Sequence, residues 1–334
     1  MRTFLRQLGK LAMLNSQRTF VAALRKYCAN HGVEVEIRSE GWLIVMRRGG
    51  RRHFAFGYDL GLNSAVAHRI ANDKAATSEV LQICGIPCVP HTLFLSPEMS
   101  EYVPPRRSWE AMIALLKENP DGIVVKPNEG TSGQSVFKVL SVPELEVAAH
   151  KIFSSSLGLA ISPYLDIESE VRVILIDELP LVIYSKDRPS IIGDGKHSVL
   201  ELALAAVPAE LRSAVLSAMA RDFSRAALEE IPRAGQRCCL NWRHNLDSGA
   251  RPILLEQGEV RDACVEIAVE AVNAIGMRFG SIDVVQVDGS WRILEINSGV
   301  MMEALARQHS DLVYAAYSAA LDKVFQRAGP LHRT

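Results

Sequence analysis

Residues 281–297, SIDVVQVDGSWRILEIN, contain two apolar runs that alternate with polar side chains and meet at Asp288-Gly289. Alternation over runs of this length predicts two β-strands joined by a tight turn. Asp283, Glu295 and Asn297 lie inside these runs, where acids have no packing role. Hard oxygen donors of this kind suit Mg2+. The alternative is that Glu295 pairs with a nearby arginine as a structural ion pair.

The turn between the runs decides whether these three side chains can meet. Glu295 and Asn297 are two residues apart and therefore share a face of their strand. A two-residue turn, which Asp-Gly favours, would pair Asp283 with Leu294 and place Asp283 on the opposite face. An odd loop or a β-bulge shifts the pairing by one residue and brings all three side chains to one face. Because a shared metal site requires that face, we predict an odd loop or a bulge.

A second segment, VVKPNEGTSGQS at residues 124–135, places Lys126 at a strand end before a glycine-rich turn. Small residues let backbone N–H groups approach phosphate oxygens, while an ammonium neutralises their charge. The segment is not a Walker A loop, because no Gly-Lys-Ser/Thr opens a helix. Taken alone, it is better interpreted as a glycine-rich hairpin that binds nothing.

Further charged residues accompany the next strands. Glu170 and Arg172 enter one strand-like run, and Arg188 follows a predicted hairpin directly before Pro189. Either arginine could be an ordinary surface charge, because exposed arginines are common.

The order of these motifs resembles the ATP-grasp fold. A lysine before a helix (NDKAAT), V-V-K-P, the glycine-rich turn, E-x-R, an arginine, Gly-Asp-Gly and D…E-x-N follow one another along the chain. More narrowly, three segments resemble the ligase region of cyanophycin synthetase and of the bifunctional glutathione-forming synthetase: RPSIIGDGKHSVLEL, EEIPRAGQRCCLNWRHNLDSGA and AIGMRFGSIDVV. The resemblance covers about residues 70–300.

The resemblance implies a role for each matching residue. Residues implied to bind ATP are Lys74 and Lys126 at the phosphates, Gly130, Thr131, Ser132 and Gly133 in a lid, Pro163, Tyr164 and Leu165 along the adenine, and Glu170 at the ribose. Residues implied to be catalytic, facing the γ-phosphate and an acyl phosphate, are Arg172 and Arg188. Residues implied to hold two Mg2+ ions, or Mn2+, are Asp283, Glu295 and Asn297. Residues implied to lie near the substrates are His244, Asn245, Ser298 and Gly299.

The expected fold class is α+β (α/β), with two ATP-grasp lobes gripping ATP after a small α/β lobe. We expect the small lobe at residues 1–66 and the first ATP-grasp lobe, with its glycine-rich lid, at 67–160. The second ATP-grasp lobe is expected at 161–334, with a helical insert at about 198–230 and the metal site.

The implied activity is that of an ATP-dependent carboxylate–amine ligase, which forms an amide or peptide bond through an acyl phosphate, on an amino acid or short peptide. One alternative is a kinase that phosphorylates a small-molecule hydroxyl, and another is a catalytically silent nucleotide-binding protein. Ser298-Gly299-Val300-Met301-Met302 replaces the Ala and Pro-Gly of the cyanophycin-type enzymes, which predicts a different substrate wall. From the chain length we expect one ligation rather than two, and the resemblance implies a homodimer or homotetramer.

Composition argues against other classes. The formal net charge of −1 disfavours a nucleic-acid partner, and RRGGRR at residues 47–52 is better interpreted as an exposed hairpin turn than as an RNA contact. The six cysteines form neither a C-x-x-C pair nor a zinc spacing with the nine histidines. Arg6 and Lys10 interrupt the apolar N-terminus, and no run is long enough to span a membrane, so we expect a cytoplasmic protein.

Overall fold

The computed structural model describes residues 18–102, 108–130 and 135–326. The residues predicted for the centre of the lid, Thr131, Ser132 and Gly133, and both chain termini lie outside the described ranges. Within those ranges, no helix is long and apolar enough to cross a membrane.

The N-terminal part consists of the helix Thr19–Asn30 and a three-stranded antiparallel sheet. Its strands, in chain order, are Glu34–Arg38, Leu43–Arg48 and Arg51–Phe56. The second and third strands are joined by Gly49 and Gly50 at φ of 56° and 76°, which confirms the predicted tight turn between the arginine pairs. Phe20, Leu24 and Tyr27 bury the apolar face of the helix in a core shared with the C-terminal helix Ser310–Gln326.

The second part is a four-stranded antiparallel sheet with its helices. The strands, in their order across the sheet, are Thr92–Leu95, Gly158–Pro163, Ile123–Pro127 and Phe137–Val139. The helices of this stretch of chain are Ala65–Asn72, Lys74–Ile83, Trp109–Glu118 and Val142–Phe153. Asp73 caps the second of these helices by accepting from Ala76 N at 2.8 Å.

The third part is a five-stranded antiparallel sheet. The strands, in their order across the sheet, are Arg251–Leu254, Leu179–Asp187, Ser169–Ile176, Phe279–Val287 and Ser290–Asn297. The helix Glu259–Ile275 covers one face and packs its Ala268, Ala271 and Val272 against the apolar side chains of the inner strands. Because side chains alternate along a strand, the residues between them face the other side, where the candidate site lies.

The segment predicted as a helical insert, about 198–230, is helical in the structure. Its helices are Val199–Ala206, Ala209–Asp222 and Arg225–Glu229. They lie between two short paired strands, Ser190–Ile192 and Arg237–Cys239, and share a small apolar core. The short helix Glu303–Ala306 follows the five-stranded sheet and leads to the C-terminal helix.

Candidate active site

A cavity lies between the four-stranded and five-stranded sheets. The four-stranded sheet contributes Val124, Lys126 and Ser162 to its lining. Most of the other charged groups come from one face of the five-stranded sheet: Glu170, Arg172, Lys186, Asp283 and Glu295. Polar chemistry is therefore concentrated on the sheet face that the helix Glu259–Ile275 leaves uncovered.

The register of the last hairpin confirms the predicted bulge. Val287 pairs with Ser290 across a two-residue turn, in which Asp288 and Gly289 have φ of 51° and 69°. The pairing then shifts between Asp283 and Val284, so that Asp283 lies opposite Glu295. Directly paired residues point to the same face of a sheet. The Asp-Gly turn thus keeps its favoured form, and a bulge at position 294 restores the common face.

Asp283 is the centre of a buried ion cluster. Its two oxygens accept hydrogen bonds from the Arg172 guanidinium at 2.7 and 2.6 Å, and Lys186 Nζ lies 2.9 Å from one of them. Lys186 also contacts Glu170 at 2.5 Å. Burial opposes the charge on Asp283, but the two cations outweigh it and hold the pKa of this carboxyl well below its usual range. The cluster is thus a preassembled set of two cations and two carboxylates.

The predicted metal donors suit a single ion that is also coordinated by a bound phosphate, rather than an ion held by protein side chains alone. Asn297 Nδ2 lies 3.2 Å from Glu295 Oε1, so both side chains point to one place at the cavity wall. The oxygens of Asp283 already accept from Arg172 and Lys186, and the described residues contain no group of three His, Cys, Asp or Glu side chains able to hold a metal. Glu295 and Asn297 can therefore offer oxygens to Mg2+ if a phosphate completes its coordination.

Lys126 and Lys74 face the cluster from the other side of the cavity. Lys126 is only 6% exposed, and its pKa is lowered to about 8, mainly by burial; Glu295 opposes this shift and Lys74 adds to it. Lys74 Nζ donates to Gly130 O at 3.0 Å and so lies at the start of the glycine-rich turn. Both predicted phosphate-binding lysines therefore line the same cavity.

The other end of the cavity is apolar and aromatic. Val89, Val285, Val287, Leu165 and Leu294 form a small cluster beside it. The rings of Tyr164 and Trp242 lie 5.7 Å apart in an edge arrangement, and Lys138 Nζ lies 3.3 Å from the centroid of the Tyr164 ring. A flat apolar ring system fits such a wall. Pro163, Tyr164 and Leu165, which the resemblance places along the adenine, all line the cavity.

Of the remaining predicted site residues, some line the cavity and others do not. Asn245 and Gly299 line the cavity, as does His244, whose Nδ1 lies 2.8 Å from Lys186 O and whose Nε2 lies 3.4 Å from Ile167 O. Ser298 is buried with its hydroxyl 2.9 Å from His68 Nδ1. Arg188 is half-buried and is not one of the described residues that line the cavity. The roles assigned to all these residues stay predictions.

Sequence reasoning missed Lys186, Trp242 and Tyr184. Lys186 and Tyr184 occupy alternate positions of the strand Leu179–Asp187, so they share the face that carries Glu170 and Arg172. A lysine in an otherwise strand-like run, on the face of another charged strand, is the signal that could have identified Lys186. Trp242 lies in an irregular segment and has no comparable pattern.

The described sheets and helices have the arrangement of an ATP-grasp fold, and comparison with solved structures shows the same fold. The bifunctional glutathione synthetase from Pasteurella multocida superposes with a TM-score of 0.51 at 18% identity, covering 91% of this chain and 45% of that one. The D-alanine–D-alanine ligase from Bacillus anthracis superposes with a TM-score of 0.50 at 15% identity, covering 80% and 72%. At these identities the likeness concerns the fold.

Sequence comparison finds similarity to two curated proteins. The chain is 26% identical over 275 residues to the glutathione biosynthesis bifunctional protein of Enterococcus faecalis, an alignment that covers 77% of this chain and 34% of the relative. A 58-residue stretch is 29% identical to the tetrahydromethanopterin:alpha-L-glutamate ligase of Methanocaldococcus jannaschii, covering 17% of this chain and 19% of that protein. This chain thus spans about a third of the bifunctional relative. No family model matches it.

Proposed function

We propose that this protein is an ATP-dependent carboxylate–amine ligase that activates a carboxylate as an acyl phosphate. One observation carries the proposal: the Arg172–Lys186–Asp283–Glu170 cluster faces Lys126 and Lys74 across a single cavity with an apolar aromatic end. A nucleotide needs such a combination, because its base is flat and its phosphates carry several negative charges. The similarity to two ligases in sequence agrees with this activity.

ATP would lie with its adenine against the Tyr164 wall and its phosphates between Lys126 and the ion cluster. Cations held in place by Asp283 and Glu170 need little reorganisation when charge shifts from the γ-phosphate to the leaving ADP. The carboxylate of the substrate would attack the γ-phosphorus, and an amine would then displace phosphate from the acyl phosphate. The protein supplies charge and position rather than a nucleophile.

Glu295 and Asn297 would hold Mg2+ at the phosphates. A bound Mg2+ would neutralise part of the phosphate charge and orient the oxygens. Asp283 holds Arg172 and Lys186 in place, and its Oδ1, which accepts one of these contacts, has an acceptor position left for a metal. The number of metal ions, the oligomeric state and the cellular compartment stay predictions, as do the lobe boundaries at residues 66 and 160.

The test is a product assay with ATP, Mg2+ and pools of amino acids and short peptides. We expect release of ADP and phosphate that requires both an acid and an amine, and a product heavier than either substrate by the mass of a condensation. Mass spectrometry identifies that product. A phosphorylated hydroxyl compound would instead indicate a kinase, and nucleotide binding without turnover in any pool would indicate a silent protein.

A further inference from the structure

The cavity continues beyond the ion cluster to a wall formed by residues 301–305. This wall is mostly apolar, and one charged side chain, Glu303, lies in it. Met302 and Leu305 are buried in the core of the N-terminal part, which fixes the wall in place. The segment begins four residues after Asn297 and lines the same cavity as the groups proposed to contact the phosphates.

The Glu303 carboxylate is held by two hydrogen bonds but has no ion pair with any residue that the structure describes. Oε2 accepts from Thr19 N at 3.2 Å, and Oε1 accepts from the Tyr58 hydroxyl at 2.7 Å. Among the described residues, no Lys, Arg or His nitrogen pairs with it. Arg18 stacks on the Tyr58 ring at 4.8 Å, but its guanidinium donates to the carbonyls of Gly57 and Gly41. A half-buried carboxylate without a cation is costly unless a ligand supplies the positive charge.

Tyr184 supplies an independent sign of a ligand. It is fully buried and lines the cavity, yet its hydroxyl has no hydrogen-bond partner among the described residues. Tyr184 lies directly opposite Arg172 in the sheet and packs in the same core as Met302 and Leu305. Buried hydroxyls are normally paired, so this one has a donor and an acceptor left for a bound molecule.

The charges along the cavity run from positive to negative. Around the place of the phosphates, the cations Lys74, Lys126, Arg172 and Lys186 outnumber the carboxylates of Glu170, Asp283 and Glu295, whereas the charge on the 301–305 wall is the carboxylate of Glu303. A molecule that places a carboxylate near Arg172 and a positive group near Glu303 matches both ends. A free amino acid or a peptide with a free N-terminus has this pattern of charges.

We propose that Glu303 and Tyr184 form the binding site for the ammonium end of the acid substrate. The site selects an amino acid or peptide with an unblocked amino group, and Tyr184 donates to a polar atom between the two charges. The ammonium held at Glu303 is not the nucleophile, because a protonated amine has no lone pair to attack with. This assignment of substrate class rests on the proposed ligase function.

Hydroxylamine trapping tests the acid site without an amine substrate. An acyl phosphate reacts with hydroxylamine to give a hydroxamate and phosphate, so hydroxamate formation needs only ATP, Mg2+ and the acid. A pool of amino acids and dipeptides first identifies an acid that reacts, and that acid is then compared with its N-acetyl derivative. We expect hydroxamate from the free acid and little from the acetylated one.

Two variants separate binding from folding. Glu303→Gln keeps the shape and an acceptor oxygen, and it should raise the KM for the free acid roughly 10- to 100-fold, the usual effect of losing a hydrogen bond to a charged group. Tyr58→Phe removes a contact that holds Glu303 but leaves its charge, and it should change this KM by less than about threefold. If Glu303→Gln and Tyr58→Phe raise the KM for the free acid and lower the melting temperature to the same extent, Glu303 is only structural and the proposal is wrong.

A binding measurement separates this proposal from the ligase function. Thermal shift is recorded with Mg2+, a non-hydrolysable ATP analogue and either the free or the N-acetylated pool. Stabilisation by the free pool that disappears in Glu303→Gln supports the ammonium site even if no hydroxamate forms, in which case the ligase function alone fails. Equal response to the two pools, or hydroxamate formed equally from free and acetylated acids, overturns the ammonium site.

Discussion

The two faces of the five-stranded sheet differ in chemistry although the same strands form both. Ile282, Val284 and Ile296 point to the helix Glu259–Ile275 and are fully buried in an apolar core. Asp283 and Glu295, their neighbours in sequence, point to the cavity. A period of two thus lets one hairpin stabilise the fold and carry the site. Neighbouring substitutions should therefore affect different properties, and the following experiments test that separation.

The largest effect is expected for Asp283→Ala. The substitution leaves Arg172 and Lys186 buried without their shared partner, which typically costs about 3 to 5 kcal/mol, and it should also abolish turnover. Urea unfolding measures the free energy, and ADP release measures turnover. The control is Asp187→Ala on the same sheet, where the ion pairs with Arg237 and Arg251 are exposed and worth about 0 to 1 kcal/mol. Equal stability losses in the two variants would show that the buried cluster has no special energetic role.

Lys126→Ala should separate activity from stability. Its ammonium is proposed to neutralise phosphate charge, so its loss should lower kcat/KM by about 100- to 1000-fold, comparable to removing one transition-state donor. The melting temperature should stay close to that of the parent, because the buried charge costs stability rather than adding to it. Lys117→Ala, at an exposed position of the helix Trp109–Glu118, is the control. Parent-like ATP turnover in Lys126→Ala would show that this lysine is not at the phosphate site.

The strand and helix pattern of the site was accessible from sequence, whereas its ion pairs were not. Alternation around Asp283 predicted the hairpin, and the requirement for a common face predicted the bulge that Asp-Gly alone would not indicate. Partners such as Arg172 and Lys186 come from strands about 100 residues away, so no local pattern fixes which carboxylate they meet. The resemblance assigned Asp283 to metal; the structure shows it in contact with two cations, and its role as a metal ligand stays a prediction.

The wall at Glu303 was missed for a related reason. Its contacts, Thr19 and Tyr58, belong to the N-terminal part of the chain, more than 240 residues away. A single glutamate at a short helix start has an ordinary interpretation as a favourable first-turn acid. Only the tertiary structure shows that Glu303 lines a cavity.

Ile282→Val tests the apolar face with a smaller change. Removing one methylene from a fully buried position should cost about 0.5 to 1.5 kcal/mol of unfolding free energy. Nucleotide affinity should not change, because the side chain points away from the cavity into the helix-covered core. Calorimetry gives the stability and a fluorescent ATP analogue gives the affinity. A weaker affinity together with unchanged stability would contradict the division between the two faces.

The smallest expected effect is the uptake of a proton by Lys126 when nucleotide binds in the cavity. The pKa of Lys126 is about 8 in the free protein because its ammonium is buried, so at pH 8 about half of the molecules lack this charge. Nearby phosphates favour the charged form and raise this pKa, and binding at pH 8 should therefore draw about half a proton per nucleotide from the buffer. Uptake should vanish at pH 6, where Lys126 is already protonated. Titration calorimetry in two buffers of different ionisation enthalpy measures the uptake, and Lys126→Ala should abolish it while Ile282→Val leaves it intact. If proton uptake persists in Lys126→Ala, a group other than Lys126 takes up the proton.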